Sequence, residues 1–131
     1  MKLTLDANAR VNLVRSYSDA QIRVGDQVFA GSCIITPDTV IGGWRPIDVN
    51  DLQEADLEPL FAARPELVLL GTGSRHRFAP AAIRGLFARR SIALETMDLG
   101  AACRTFNILV QEERRVCAAL MLEGSGSVSR S

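Results

Sequence analysis

Seven residues near the middle of the chain restrict its fold more than any others. They are Leu67-Val68-Leu69-Leu70, followed by Gly71-Thr72-Gly73. Four large apolar side chains in a row show no alternation, so a strand built from them is covered on both faces. The flanks fit that requirement. Pro65 closes the segment before it, and Pro80 suits the first turn of a following helix with Ala82, Ile83, Leu86 and Phe87 as its buried stripe. Ile92-Ala93-Leu94 reads as the next strand. Asp98 caps a long helix with Leu99, Ala102, Cys103, Phe106, Leu109 and Val110 on one side, and Val116 to Leu122 is the last strand. This alternation predicts crossover connections and a mainly parallel core sheet.

The first half reads as β. Val11, Leu13 and Tyr17 recur at even spacing, as on one strand face. Gly25-Asp26 between Ile22-Arg23-Val24 and Gln27-Val28-Phe29 predicts a two-residue hairpin with a positive φ at Gly25. Ser32 to Thr36 is a further strand, Pro37-Asp38 a turn, and Thr39-Val40-Ile41 resumes the sheet until Gly42-Gly43. Asn50 or Asp51 caps a helical stretch to about Ala63, with a second helical piece starting near Asp56 because Pro59 interrupts it. The fold class is therefore α/β, with helices packed on a mixed, mainly parallel sheet and an N-terminal β-hairpin added.

The 131 residues suit one domain, assigned to residues 1–123, with a Gly- and Ser-rich flexible tail over 124–131. Fifteen basic residues balance fifteen acidic ones, so there is no global field to attract nucleic acid or an anionic membrane. No apolar run is long enough to span a bilayer, and Met1 to Arg10 lacks the apolar core of a secretory signal. A cytoplasmic protein without membrane insertion is the expectation. Cys33, Cys103 and Cys117 have no close pairing spacing and read as buried small hydrophobes, and the lone His76 forms no recognised metal spacing with them. No metal and no cofactor are expected.

Four segments together resemble the Mth938-like family, formerly a domain of unknown function. They are Val40 to Pro46 with Trp44 in the tryptophan place, Leu67 to Gly73, Ile92 to Met97, and Ala102-Cys103-Arg104-Thr105-Phe106-Asn107 followed by Leu109, Glu112, Arg114 and Val116. The resemblance implies a three-layer fold around a mixed sheet with one antiparallel strand. It also implies a family without a settled enzymatic activity, whose mitochondrial relatives are assembly factors for respiratory complex I. Two positions depart from the family pattern. Phe106 stands where many members have Tyr. Glu113 stands at a helix-to-strand turn where many have Gly, so a positive φ there would strain it.

The candidate site follows from chemistry at the end of the central strand. Gly71, Thr72 and Gly73 lie where parallel sheets present ligands, and glycine lets backbone N–H groups approach an anion. The pattern is neither a dinucleotide fingerprint nor a P-loop. Arg75 and His76 follow at once and suit a carboxylate or phosphate. Trp44, on a glycine-hinged segment, is expected as a wall of the same concavity or else as core packing. The plainer alternatives stand beside this: a tight turn that needs glycine, and a solvated basic loop. Thr105 and Asn107 suggest structural bonds to a neighbouring loop, and Glu112 and Arg114 a local pair. No catalytic residues are assigned, because no nucleophile–base–acid set is visible.

Two functions compete. One is a non-enzymatic binding or assembly protein acting on a protein partner. The other is a small-anion binder or enzyme using a cleft at the glycine turn, with Gly71, Thr72, Gly73, Arg75, His76 and Trp44 around the ligand.

Overall fold

The computed structural model describes residues 11–123. The expectations for Met1 to Arg10 and for the tail over 124–131 lie outside the described residues. Three strands open the fold: β1 (Val14–Tyr17), β2 (Gln21–Val24) and β3 (Gln27–Ala30), an antiparallel meander in that order. The predicted hairpin is β2–β3, with Val24 opposite Gln27 and Gly25 at φ +58°. The reading of β1 needs correction. Val14, not Val11 or Leu13, is its buried anchor, and the register shifts between Val14 and Ser16. A bulge breaks strict alternation, so even spacing across it picks the wrong face.

The central sheet has five strands in the order β5-β4-β8-β6-β7. These are β4 (Cys33–Ile35), β5 (Val40–Ile41), β6 (Leu67–Gly71), β7 (Ala93–Met97) and β8 (Val116–Leu120). β6 runs parallel to both β7 and β8, while β4 is antiparallel to β8 and to β5. Four strands thus point one way and β4 alone the other, as the family resemblance implies.

All five residues of β6 are buried. Leu67 and Leu69 join one core with Val116, Ala118 and Leu120, and Val68 and Leu70 join a second with Cys117 and Ala119. The two cores lie on opposite sheet faces, which is what the unbroken apolar run requires. Each such side chain contributes roughly 1.5–3 kcal/mol relative to exposure.

The helices divide between those faces. α1 (Glu58–Ala62) and α2 (Ala81–Arg89) bury Leu60, Ile83 and Phe87 in the second core. α3 (Leu99–Gln111) buries Leu99, Ala102, Cys103, Phe106 and Val110 in the first core, together with Val14, Ile22 and Val24 of the meander. Helices, sheet and helices make the three layers. Asn107 binds the meander to α3: its amide donates to the Val14 carbonyl at 2.9 Å and its oxygen accepts from the Val14 N–H at 2.8 Å. The structural bonds expected of Asn107 therefore go to a strand rather than a loop.

The stretch after Trp44 is less helical than its sequence suggests. It forms 3-10 turns at Val49–Asp51 and Glu54–Leu57 before α1, with Asp48 rather than Asn50 or Asp51 as the first cap. Pro59 sits in the first turn of α1, where its missing N–H costs nothing.

The three α-helices among the described residues each end on a non-glycine residue with positive φ: Arg64 at 51°, Ser91 at 58° and Glu113 at 63°. After α3, Glu113 N–H donates to the Val110 carbonyl and Arg114 N–H to the Leu109 carbonyl, the paired bonds of a Schellman cap. The cap puts Glu113 in the left-handed region that glycine adopts most easily. Arg114 pairs with Glu66 at 2.9 Å, not with its near neighbour Glu112, because the cap turns the chain back toward the start of β6.

Candidate functional site

The carboxyl ends of β6 and β7 are the natural place for a crevice. β6 leads to α2 on one face and β7 leads to α3 on the other, so the chain leaves these neighbours in opposite directions. In this protein the crevice is laced shut by its own groups. Thr72 N–H donates to the Met97 carbonyl at 2.8 Å, and Leu99 N–H donates to the Gly73 carbonyl at 2.7 Å. The Thr72 hydroxyl, on a residue 4% exposed, donates to the Arg75 carbonyl at 2.7 Å and accepts from Arg77 N–H at 3.0 Å. One hydroxyl thus folds the loop behind it.

Each glycine of Gly71-Thr72-Gly73 answers a different constraint. A Cβ on Gly71 would lie 2.9 Å from Leu120 Cδ2 and 3.1 Å from Ala102 Cβ, so its absence lets α3 lie close on the sheet. Gly73 adopts φ +85°, and a Cβ there would lie 2.7 Å from the Glu123 carboxyl carbon. The carboxylate of Glu123 accepts from Ser74 N–H at 3.3 Å and from the Ser74 hydroxyl at 2.9 Å. An anion does sit against the glycine turn, and it belongs to this chain. Sequence reasoning missed Glu123, because nothing in a residue 50 positions away signals that β8 ends beside the turn.

Beyond Ser74 the loop faces solvent. Arg75 is exposed. His76 Nε2 shares a 2.8 Å hydrogen bond with the Thr96 hydroxyl, and its ring meets Phe78 edge to face at 4.6 Å. Phe78 is 74% exposed. Two shallow hollows flank the loop. One, about 320 Å3, is polar and lies between Tyr17, Asp19, Ser74, Asp98 and Arg104. The other, about 370 Å3, is lined by His76, Phe78, Ala79, Arg84, Leu94 and Thr96. A larger apolar hollow of about 480 Å3 lies among Val11, Pro37, Ala63, Pro65 and Val116, at the opposite end of the parallel strands from the glycine turn.

Trp44 belongs to neither flanking hollow. It is 7% exposed in the second core, and its indole N–H donates to the Asp56 carbonyl at 2.9 Å. This burial fits core packing, one of the roles open to it beside a subunit interface and a pocket wall. Its neighbour Arg45 clamps the same segment, reaching Asp51 at 3.1 Å and Asp56 at 2.6 Å. The Arg45 guanidinium holds the Asp56 carboxyl below its ordinary range, and Asp56 in turn, with Asp51, raises Arg45. Gly71, Thr72, Gly73, Arg75 and His76 are thus contiguous at one end of the sheet, while Trp44 serves the packing beneath.

The cysteines show no reactive environment. Burial pushes the Cys33 and Cys103 thiols up to about 12 and Cys117 to about 11, so none forms thiolate near neutrality. No group of three His, Cys, Asp or Glu residues suited to a metal occurs among the described residues. Nor does any helix among them have the length and apolarity to cross a membrane.

Comparison with known proteins agrees with this architecture. The NMR structure of the Xanthomonas campestris protein XCC1710 superposes with a TM-score of 0.78 at 33% identity, covering 86% of each chain. The solution structure of a Bordetella pertussis protein described as a Mth938-like domain gives 0.71 at 29% identity, again covering 86% of each. Among curated proteins, the NADH dehydrogenase [ubiquinone] 1 alpha subcomplex assembly factor 3 of Danio rerio is 30% identical over 117 residues, 88% of this chain and 67% of the relative. The chain spans between 63% and 67% of the length of this relative and its counterparts from Xenopus tropicalis and Bos taurus. Residues 14–121 match the family described as "Protein of unknown function (DUF498/DUF598)", and the chain belongs to that family, with the Mth938-like fold.

Proposed function

We propose that this chain is a non-enzymatic binding protein of the assembly-factor kind, acting on a protein partner in the cytoplasm. The observation that carries the reading is the state of the crevice. Its turn amides and carbonyls are engaged by Met97, Leu99 and Glu123, while a bulky aromatic, Phe78, stands in solvent on the loop behind it. Such a surface offers contact area rather than a reaction chamber. The naming of curated relatives as assembly factors supports the same reading. The test is affinity capture of the tagged chain from its own cell with quantitative mass spectrometry, beside a metabolite thermal-shift screen. A protein recovered in near-stoichiometric amount supports the reading. Strong stabilisation by a metabolite, with no partner recovered, overturns it.

One observation favours a second reading, a small-anion site at Gly71, Thr72, Gly73, Arg75 and His76. Ser74 N–H and hydroxyl already hold a carboxylate, so the turn has the donors an external anion needs once Glu123 is displaced. Phosphate and citrate titrations of the wild type and of Glu123→Gln, followed by NMR, test it. Shifts confined to Gly71–Arg77 that strengthen in the variant support it.

A further inference from the structure

Residues 71–94 carry Arg75, Arg77, Arg84, Arg89 and Arg90 and no acidic residue, in a chain whose total charge cancels. The opposite charge is gathered in another segment, which meets α2 at a hollow lined by Glu54 and Arg89. Residues 46–63 hold Asp48, Asp51, Glu54, Asp56 and Glu58 and no Lys or Arg. The ion pairs among the described residues join Arg23, Arg45 and Arg114 to carboxylates and use none of those five arginines. Arg84 donates to the Ala79 carbonyl and Arg90 lies over the Phe61 ring, contacts that leave both charges uncompensated.

The same region contains a free sheet edge. Among the described residues, β7 is the last strand of the central sheet and pairs only with β6. Toward β6, Ala93 N–H donates to the Glu66 carbonyl and the Met97 carbonyl accepts from Thr72 N–H. Alternation along the strand then turns the N–H and C=O groups of Leu94 and Thr96 outward, where a further strand would pair with them. The strand has no proline and no lysine to guard it. Its one carboxylate, Glu95, lines the same hollow as the unpaired Arg84. Beside the edge, Phe78, Ala79 and Leu94 line an apolar-walled hollow of about 370 Å3 with Arg84 at its margin.

We infer that the β7 edge is the docking site for an extended, acidic segment of the protein partner, which joins the central sheet as a sixth strand. Main-chain bonds to Leu94 and Thr96 give the register. Carboxylates of the segment meet the arginines, and one apolar side chain enters the hollow beneath Phe78. An extended peptide fits better than nucleic acid, because outward amide and carbonyl groups at strand spacing pair with another strand and give no match to a run of phosphates. This inference rests on the protein-partner reading and names the chemistry of that partner.

The test uses the full chain and an eight-residue peptide alternating glutamate and valine. Controls are the lysine–valine counterpart, a version with every second backbone amide N-methylated, and an oligouridylate. The expected result is shifts confined to Phe78 and Ala93–Met97, slower amide exchange at Leu94 and Thr96, and binding that falls with salt. Methylation of the pairing amides should weaken binding by at least tenfold without changing peptide charge. The variant Arg84→Glu, on an exposed helix position, should weaken it about tenfold and leave the spectrum folded.

Four results overturn the inference: no binding at millimolar peptide, equal binding of the methylated peptide, tighter binding of oligouridylate, or the same shifts appearing with protein concentration alone, which assigns the edge to a second copy of the chain. Capture from the cell separates the two levels of argument. A partner recovered equally by wild type and by the Arg84→Glu variant keeps the protein-partner reading and removes this surface. Recovery of no partner by either removes both.

Discussion

From Gly71 to Ser74 the chain is held by hydrogen bonds to distant segments, whereas Arg75, His76 and Phe78 are exposed. The Gly71 carbonyl accepts from Met121 N–H, the Gly73 carbonyl from Leu99 N–H, and Ser74 donates twice to Glu123. Four residues later Phe78 is 74% exposed. The sequence leaves both halves open, the glycines as ligand chemistry or a tight turn, and Arg75 and His76 as anion ligands or a solvated loop. The contrast teaches that a glycine motif is ambiguous until its neighbours are known. Close packing of a helix and close approach of a ligand make the same demand, namely no Cβ.

The sharpest way to break that contrast is Gly71→Val. If the glycine serves packing, the substitution destabilises the fold by about 1–3 kcal/mol, toward the upper end, because Leu120 and Ala102 must both yield. Urea denaturation measures this directly. A variant that keeps wild-type stability would return Gly71 to the ligand hypothesis. Thr72→Val comes next. It keeps the shape but removes the hydroxyl that holds the Arg75 carbonyl and Arg77 N–H. The expected loss is about 1–2 kcal/mol, with faster amide exchange at Arg77. If exchange at Arg77 is unaltered, the two halves of the loop are not linked through Thr72.

The same contrast separates two kinds of arginine. Arg45 is engaged by Asp51 and Asp56, whereas Arg75 is free of ion pairs among the described residues. Asp56 has its carboxyl pKa lowered, first by the Arg45 hydrogen bond and then by the Gln53 N–H. A depressed carboxylate adds stability above its unfolded pKa of about 4 and loses it as pH falls through the folded value. Glu66, lowered by Arg114, acts in the same direction. Stability should therefore drop below about pH 4. Asp56→Asn should cost about 1 kcal/mol at neutral pH and flatten part of that drop. Thermal melts across the acid range decide it; an unchanged slope would mean that Asp56 titrates alike in both states.

Much of the fold was legible because it follows from local rules. The unbroken run Leu67–Leu70 requires cover on both faces, Asp98 caps α3 through Ala101 N–H, and Gly25 takes the turn conformation. What stayed hidden depends on where distant segments end. Glu123 meets Ser74, and Arg114 meets Glu66, only because β8 runs beside β6. The β1 bulge was invisible for a related reason: a register shift leaves no periodic trace in four residues. Glu113 lies between these cases. The helix-to-strand turn was readable, and its φ of 63° places a side chain in a region suited to glycine. Glu113→Gly should therefore stabilise the protein by roughly 0.5–1 kcal/mol, read from a higher denaturation midpoint. A lower midpoint would mean that the added unfolded-state freedom outweighs the relieved strain.

The smallest expected effect bears most directly on function. Arg75→Ala and Phe78→Ser remove two exposed side chains of the loop. Arg75 makes no hydrogen bond through its side chain among the described residues, and its carbonyl bond to Thr72 survives truncation. Phe78 loses only an edge contact with the His76 ring, on a surface where both partners are already hydrated. Stability should stay within about 0.5 kcal/mol of wild type for each, although the glycines a few residues earlier tolerate no added Cβ. An exposed phenylalanine gives the folded chain little, so its removal separates contact with a partner from support of the core. The pair of measurements that settles this is denaturation of both variants beside their capture of the protein partner. Unchanged stability with reduced capture fits a contact surface. A loss above about 1 kcal/mol would mean that the loop is part of the core's support, and the contrast between its two halves would collapse.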